Sequence, residues 1–414
     1  MRIVFGLILF YFCLICYGQT SWHSFNNISA PQGLPTGIIT AIVQDRSGFL
    51  WFGTKEGLFS YDGRIIKTYV HQYDDDRSIS DNYITAFLLD HNQRLWIATR
   101  HGLNVYDDKR DDFIRIKLDS LFPKVSYSVE DILCMQMDKN GCIWMGGFGS
   151  GLTKLCFLED GLQVKNAISF EQGKVNSPFP VKYVWSILLD HQGNGWIGTA
   201  KGLIRFDPYA KDISFKNYTK SSSGISDDYV LSLFLDKQGN VWMSSMDAML
   251  DVIPHSSIVG QDKDPVFIKA MSLVREKLDF SQETIYTGSG TKDGYIWLGT
   301  QSKGILKMKV EFDKGLAISF DQTANFRHSY TQFSSLLGDA IFSIFEDTKG
   351  NVWIGNDKGV SQYIQIKQKM DVLHLADKGL LVGNSLTSIT EWHGHSFFYR
   401  GLILSIVFVM VPQR

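Results

Sequence analysis

The sequence is poor in cysteine and proline, with 5 and 9 among its 414 residues, and its charges nearly cancel, 41 Lys+Arg against 43 Asp+Glu. Cys13 and Cys16 fall in an apolar N-terminal segment, which leaves only Cys134, Cys142 and Cys156 for the rest of the chain. That number is odd, no Cys-x-x-Cys pair is present and no histidine cluster accompanies it, which argues against a disulfide framework and a zinc site. A formal charge of −2 leaves no electrostatic footprint for nucleic acid or an anionic membrane surface. Long apolar runs are scarce too. Residues 3–17 fall short of the ~20 that a spanning helix needs, and residues 401–411 would cross about half of a ~30 Å hydrocarbon core. Neither Gly-x-Ser-x-Gly nor His-Glu-x-x-His occurs, and the 10 histidines are scattered, so no catalytic residue, metal or cofactor is expected. Paired carboxylates for glycoside cleavage, assembled from distant parts of the chain, stay open.

What is present points to β structure. The 37 glycines and 13% aromatic residues suit a turn-rich β protein better than a helical bundle. The N-terminus reads as an export signal over residues 1–18: Met1-Arg2, the apolar run 3–17, then Cys16-Tyr17-Gly18 as a cleavage site before Gln19. The rest of the chain is then expected to work outside the cytoplasm, in the periplasm.

Self-similarity decides the fold. The line Ile-x-small-Ile-x-x-Asp-x-x-Gly-x-x-Trp-x-Gly-Thr, followed by Gly-Leu, occurs in seven drifted copies, with Trp51, Trp96, Trp144, Trp196, Trp242, Trp297 and Trp353 in register. Successive tryptophans stand 45 to 56 residues apart. Ten residues before each is a small residue: Ala41, Ala86, Cys134, Ser186, Ser232, Thr287 and Ser343. Six residues before stand Asp45, Asp90, Asp138, Asp190, Asp236, Thr291 and Asp347.

In the first copy, residues 38–44 and 49–54 read as strands joined by the turn Asp45-Arg46-Ser47-Gly48, and residues 58–61 and 65–69 as a third and a fourth strand. Four antiparallel strands at this period describe a blade of a β-propeller. The reading is an all-β, seven-bladed propeller over residues 19–375. Residues 22–26 would complete the seventh blade and remove the open edge. The small column marks the crowded strand nearest the axis, and packing accounts for Cys134 there. The tryptophan column would cover the neighbouring blade, each ring removing ~150–250 Å² from water. Residues 376–391 begin the pattern again, with Ser388 and Glu391 in register. Residues 392–414 do not continue it and read as a degenerate or frameshifted tail.

The repeat resembles the regulator-propeller repeat of bacterial hybrid two-component sensors. The resemblance rests on Gly33-Leu34-Pro35 and on the run from Gln44 through Asp45, Gly48, Trp51, Gly53 and Thr54 to Gly57-Leu58. It implies a periplasmic sensor that responds to oligosaccharides from complex glycans. It also implies partners that this chain lacks, a second propeller and a histidine kinase, and a homodimer in the full-length family. A free-standing exported propeller enzyme, glycosidase or lyase, and a protein-interaction scaffold are the alternatives.

Candidate ligand residues are the departures from the repeat. Just before the small column stand Thr40, Thr85, Leu133, Trp185, Leu231, Tyr286 and Phe342. Trp185, Tyr286 and Phe342 are expected to form a platform for sugar rings at one mouth of the channel. Tyr83, Tyr183 and Tyr229, two residues earlier, make a second set. The glycine-rich segment 146–151 looks like a phosphate loop but lacks Gly-Lys-Ser/Thr, and it reads as a hairpin. The acidic runs 74–76 and 107–112 lack EF-hand spacing and read as solvated surface. The excursion 254–282 between the fifth and sixth copies reads as a rim or contact surface.

Overall fold

The computed structural model describes residues 23–116, 132–149, 151–159, 161–172, 179–246, 249–258, 264–270, 283–313, 317–332, 334–365, 388–392, 395–399 and 409–410. The expected leader 1–18, Trp22, the junction 366–387 and much of the excursion 254–282 lie outside them. Contacts divide the chain into a unit spanning His23–Ile364 and a second made of the two terminal segments.

The larger unit holds seven four-stranded antiparallel sheets. Blade one runs through Ile39–Gln44, Leu50–Thr54, Leu58–Tyr61 and Ile66–Tyr69, so the four strands expected from the first copy are all there. Each later blade repeats the order, and each first strand neighbours the next around the ring, the seventh touching the first. The fourth strand of blade seven is His23–Ile28, beside Val360–Gln365. The chain therefore closes its own ring, as the N-terminal sequence suggested. In the terminal unit, Ser388–Trp392 pairs with His395–Tyr399, which pairs with Val409–Met410.

The tryptophans occupy the interfaces between blades. Trp51 packs with Ile84, Leu95 and Ile97 of blade two, and Trp353 packs with Ile39 and Phe52 of blade one. Burying an indole obliges its N–H to find an acceptor. In six blades the aspartate six residues earlier supplies it, at 2.8 to 3.1 Å. The same carboxylate holds the turn: in blade five, Asp236 Oδ1 accepts from the backbone N–H of Gln238 and Asn240, while Oδ2 accepts from Trp242 Nε1. Turn chemistry alone therefore understates the aspartate column, which joins the first hairpin to the inter-blade core.

The small column has an equally local cause. Each small residue lies opposite the glycine, alanine or serine two places after the tryptophan, as Ala41 opposite Gly53. A Cβ on Gly146 would stand 2.2 Å from Val184 of the next blade, and one on Gly355 2.8 Å from Ile39 across the closure. At five of the seven interfaces a β-branched residue of the following blade thus seats on a glycine of the one before it, and at the other two the seat is Ala98 or Ser244.

The cysteines depart from expectation. Cys142 and Cys156 form a disulfide across the second and third strands of blade three, with their Cα atoms 4.3 Å apart. An odd count did not exclude one bridge, because the third cysteine, Cys134, is a packing residue. Its thiol is pushed up to about 12 by burial. The phosphate-loop look-alike spends its donors on protein: Gly149 and Gly151 N–H both donate to Lys182 O. In the acidic run 107–112, Asp108 pairs with Arg46, Asp111 with Lys67 and Asp112 with Arg77.

Two stability predictions follow from these contacts. Asp236→Ala should lower unfolding free energy by about 2–3 kcal/mol in urea titrations, because it strands an indole and two backbone donors. The bridge encloses a sequence separation of 14, and a loop of that size is worth about 3 kcal/mol. Reductant should therefore lower the melting temperature of the wild type and leave that of a Cys142→Ser, Cys156→Ser double variant unchanged.

Candidate functional site

All seven first strands carry one irregularity at the same place. Their register shifts by one residue where they begin to pair with the second strand. The residue left over is Thr40, Thr85, Leu133, Trp185, Leu231, Tyr286 or Phe342, so these departures from the repeat are β-bulge positions. A bulge re-aims its side chain out of the ladder. Because every blade enters its first strand at the same end of the ring, the bulge residues surround one mouth of the channel. The loops between second and third strands emerge at that end too.

The structure gathers the aromatic candidates into two groups. Trp185 lies against Tyr183, with centroids 6.3 Å apart and planes 18° from parallel, and against Tyr229 at 5.7 Å. Phe148 joins them, 4.7 Å from Tyr183 and 5.9 Å from Trp185. The second group is the stacked pair Tyr286–Phe342 at 5.5 Å. Trp185 makes no ring contact with that pair, so the three bulge aromatics form two platforms from blades four and six–seven. Tyr83 belongs to neither, and its ring faces Lys55 Nζ at 5.4 Å.

Phe148 was missed from the sequence. It is the extra residue in the glycine-rich hairpin of blade three, and the insertion itself was the available signal. An isolated bridge between Phe148 and Tyr183 fixes the hairpin to the entry of blade four, and Gly149 and Gly151 tie it to Lys182 as described. Phe148 is 53% and Tyr183 39% exposed, whereas Trp185 and Tyr229 are half-buried beneath them.

The cluster is apolar with few polar handles. The indole Nε1 of Trp185 is buried without a hydrogen-bond partner. Burial raises the Tyr229 hydroxyl above its usual range, so it is a neutral phenol at any physiological pH. The backbone N–H of Tyr229 donates to Asp227 Oδ1, and that of Tyr83 to Asp81 Oδ1, both at 2.7 Å. These acids shape the loops that present the rings. Asp81 also holds His101 Nδ1 at 2.9 Å. Such a face can stack a flat ligand and offers no nucleophile paired with a base.

Comparison with known proteins bears on the whole ring. The model of the two component regulator propeller matches residues 33–56, 78–101, 178–201, 224–247 and 335–358, which lead into and cover the first hairpins of blades one, two, four, five and seven. Over 78 residues the chain is 38% identical to histidine kinase P4 of Formosa agariphila, which is 19% of this chain and 6% of that protein. The extracellular domain of a hybrid two component system from B. thetaiotaomicron superposes with a TM-score of 0.66 at 21% identity, over 91% of this chain and 47% of that one. Virginiamycin B lyase of Staphylococcus aureus superposes at 0.56 and 12% identity, over 83% of this chain and 99% of the lyase. This chain thus spans about half of the sensor structure and a small part of the kinase. At these identities the superpositions speak for the fold, which sensors and lyases share. The repeat itself is more specific: in five of the seven blades the first hairpin and its lead-in are similar to the two component regulator propeller.

Proposed function

We propose that this chain is the ligand-sensing propeller of an exported hybrid two-component signalling protein, without enzymatic activity of its own. Its ligand would be an oligosaccharide from a complex glycan, held against the aromatic face of Phe148, Tyr183, Trp185 and Tyr229. The observation that carries the reading is the exposure of Phe148 and Tyr183 over a half-buried Trp185, in a repeat that matches the regulator propeller. Two adjoining exposed aromatic rings make an apolar surface suited to a partner, and sugar rings present flat C–H faces that such rings accept.

The rest of the proposal concerns the relay. A ligand can signal only by binding one arrangement of the protein better than another. The partner that reads the difference would be a second propeller and a kinase, dimeric in the assembled receptor. Residues 376–391 would open that second ring, and residues 1–18 would direct export to the periplasm.

The test is a calorimetric titration of the whole chain with a panel of plant and host oligosaccharides. At least one should bind, and the Phe148→Ala, Tyr183→Ala double variant should weaken it by tenfold or more, with a melting temperature within a few degrees of wild type. Unchanged affinity in the variant would remove this face as the site. Turnover of a panel member would instead show an enzyme.

A further inference from the structure

Blade six alone lacks the aspartate of the repeat and has Thr291 in its place. The Thr291 hydroxyl is engaged with Asp293 Oδ1 and Tyr295 O, and Trp297 Nε1 is buried without an acceptor. The place across the strand pair from this tryptophan holds a cation, as it does in blade three, where Lys154 faces Trp144, and in blade four, where Arg205 faces Trp196. Lys307 lies directly across the strand pair from Trp297 and is 3% exposed. Its Nζ lies 4.0 Å from the ring centroid of Tyr295, 5.0 Å from that of Trp297 and 4.7 Å from that of Tyr363. It also donates to Tyr363 Oη at 3.2 Å.

The chain of contacts then reaches the closure of the ring. Tyr363 is on the third strand of blade seven, and its Oη meets Nδ1 of His23, on the closing strand, at 2.5 Å. The His23 ring stacks on Tyr363 and meets the edge of Phe326. The ammonium of Lys307 can only donate, so Tyr363 Oη accepts from it and keeps its own hydrogen to give. In the neutral imidazole tautomer that is bare at Nδ1, His23 is the acceptor within reach of that hydrogen.

We propose that Lys307, Tyr363 and His23 form a proton-sensitive latch, which secures the N-terminal closing strand while His23 is neutral and loosens it when His23 gains a proton. Protonation would turn Nδ1 into a donor, take it away as the acceptor of the Tyr363 hydrogen and set a second cation near a buried ammonium. Lys307 of blade six and Tyr363 of blade seven face His23, Asp293 and Tyr295 act in turn on Lys307 and Tyr363, and the closing strand carries no other titratable side chain. Burial, and then the charge of Lys307, hold His23 below its ordinary 6.5. Burial likewise lowers Lys307, against the pull of Asp293. A lowered histidine binds its proton more weakly in the folded state than in the unfolded one. The latch therefore contributes fully above about pH 6.5, and its contribution is lost as the pH falls through the folded value.

The test is hydrogen exchange of the backbone amides of His23–Ile28 in the whole chain between pH 7.5 and 5, corrected for the intrinsic exchange rate. Wild type should lose protection on acidification, by up to about tenfold per pH unit while the latch titrates. His23→Gln and Tyr363→Phe should each flatten that dependence, and the second keeps the aromatic packing should the first fold poorly. Parallel pH dependence in wild type and Tyr363→Phe would overturn the latch. So would a His23 imidazole resonance that titrates at or above 6.5.

Discussion

One carboxylate shared between a turn and an indole is the contact on which the propeller rests. Each tryptophan must be buried to join its blade to the next, and a buried indole N–H needs an acceptor. Placing the aspartate six residues earlier, across a tight turn, puts that acceptor on the same hairpin. A blade can thus satisfy its own polar atoms before it meets a neighbour, and the neighbour need supply only apolar surface. The β-branched residue seated on a glycine, alanine or serine of the preceding blade then sets how closely the two approach. Because both devices act between nearest neighbours, the ring grows by repetition, and closure asks only that the last blade find the first.

Where a blade breaks this pattern, another interaction takes over locally. Blade six has Thr291 in place of the carboxylate, and its lysine is caged by Tyr295, Trp297 and Tyr363. Blade three adds a disulfide between its second and third strands and an extra residue in its glycine-rich hairpin. Neither blade is among the segments matched by the family model. The two departures serve different ends: the first bears on how the ring is closed, the second presents Phe148 at the mouth. A repeat protein stabilised by its regular positions can vary the irregular ones at little cost, and the proposed ligand face and the proposed latch both lie at such positions.

The bulges connect the scaffold to the proposed site. One unpaired residue at the same point of every first strand gives seven side chains around one mouth, each free of the packing rules that bind the columns on either side. Two blades place threonine there and three place an aromatic residue. The mouth is therefore uneven around its circumference, which a symmetric ring needs if it is to bind one ligand in one orientation. The strands hold the rings in place, and the loops between blades choose which rings are exposed.

The sequence by itself determined the blade count, the strand order within a blade, the closing role of the N-terminal segment and the burial of the tryptophans. All of these follow from periodicity and from local spacing along one hairpin. The aspartate–indole bond was also within reach, since both partners sit in the repeated line, but a turn already accounted for the aspartate and hid its second role. Tertiary structure alone decided which candidates meet. Trp185 joins Tyr183, Tyr229 and Phe148 rather than Tyr286 and Phe342, because the first four come from consecutive blades three, four and five, and blade five has Leu231 rather than an aromatic ring at the bulge between Trp185 and Tyr286. Nor did local pattern show that Cys142 faces Cys156, or that Lys307, Tyr363 and His23 converge. Those residues are brought together by strand register and by closure of the chain ends, whose pairing lies far beyond the reach of any local repeat.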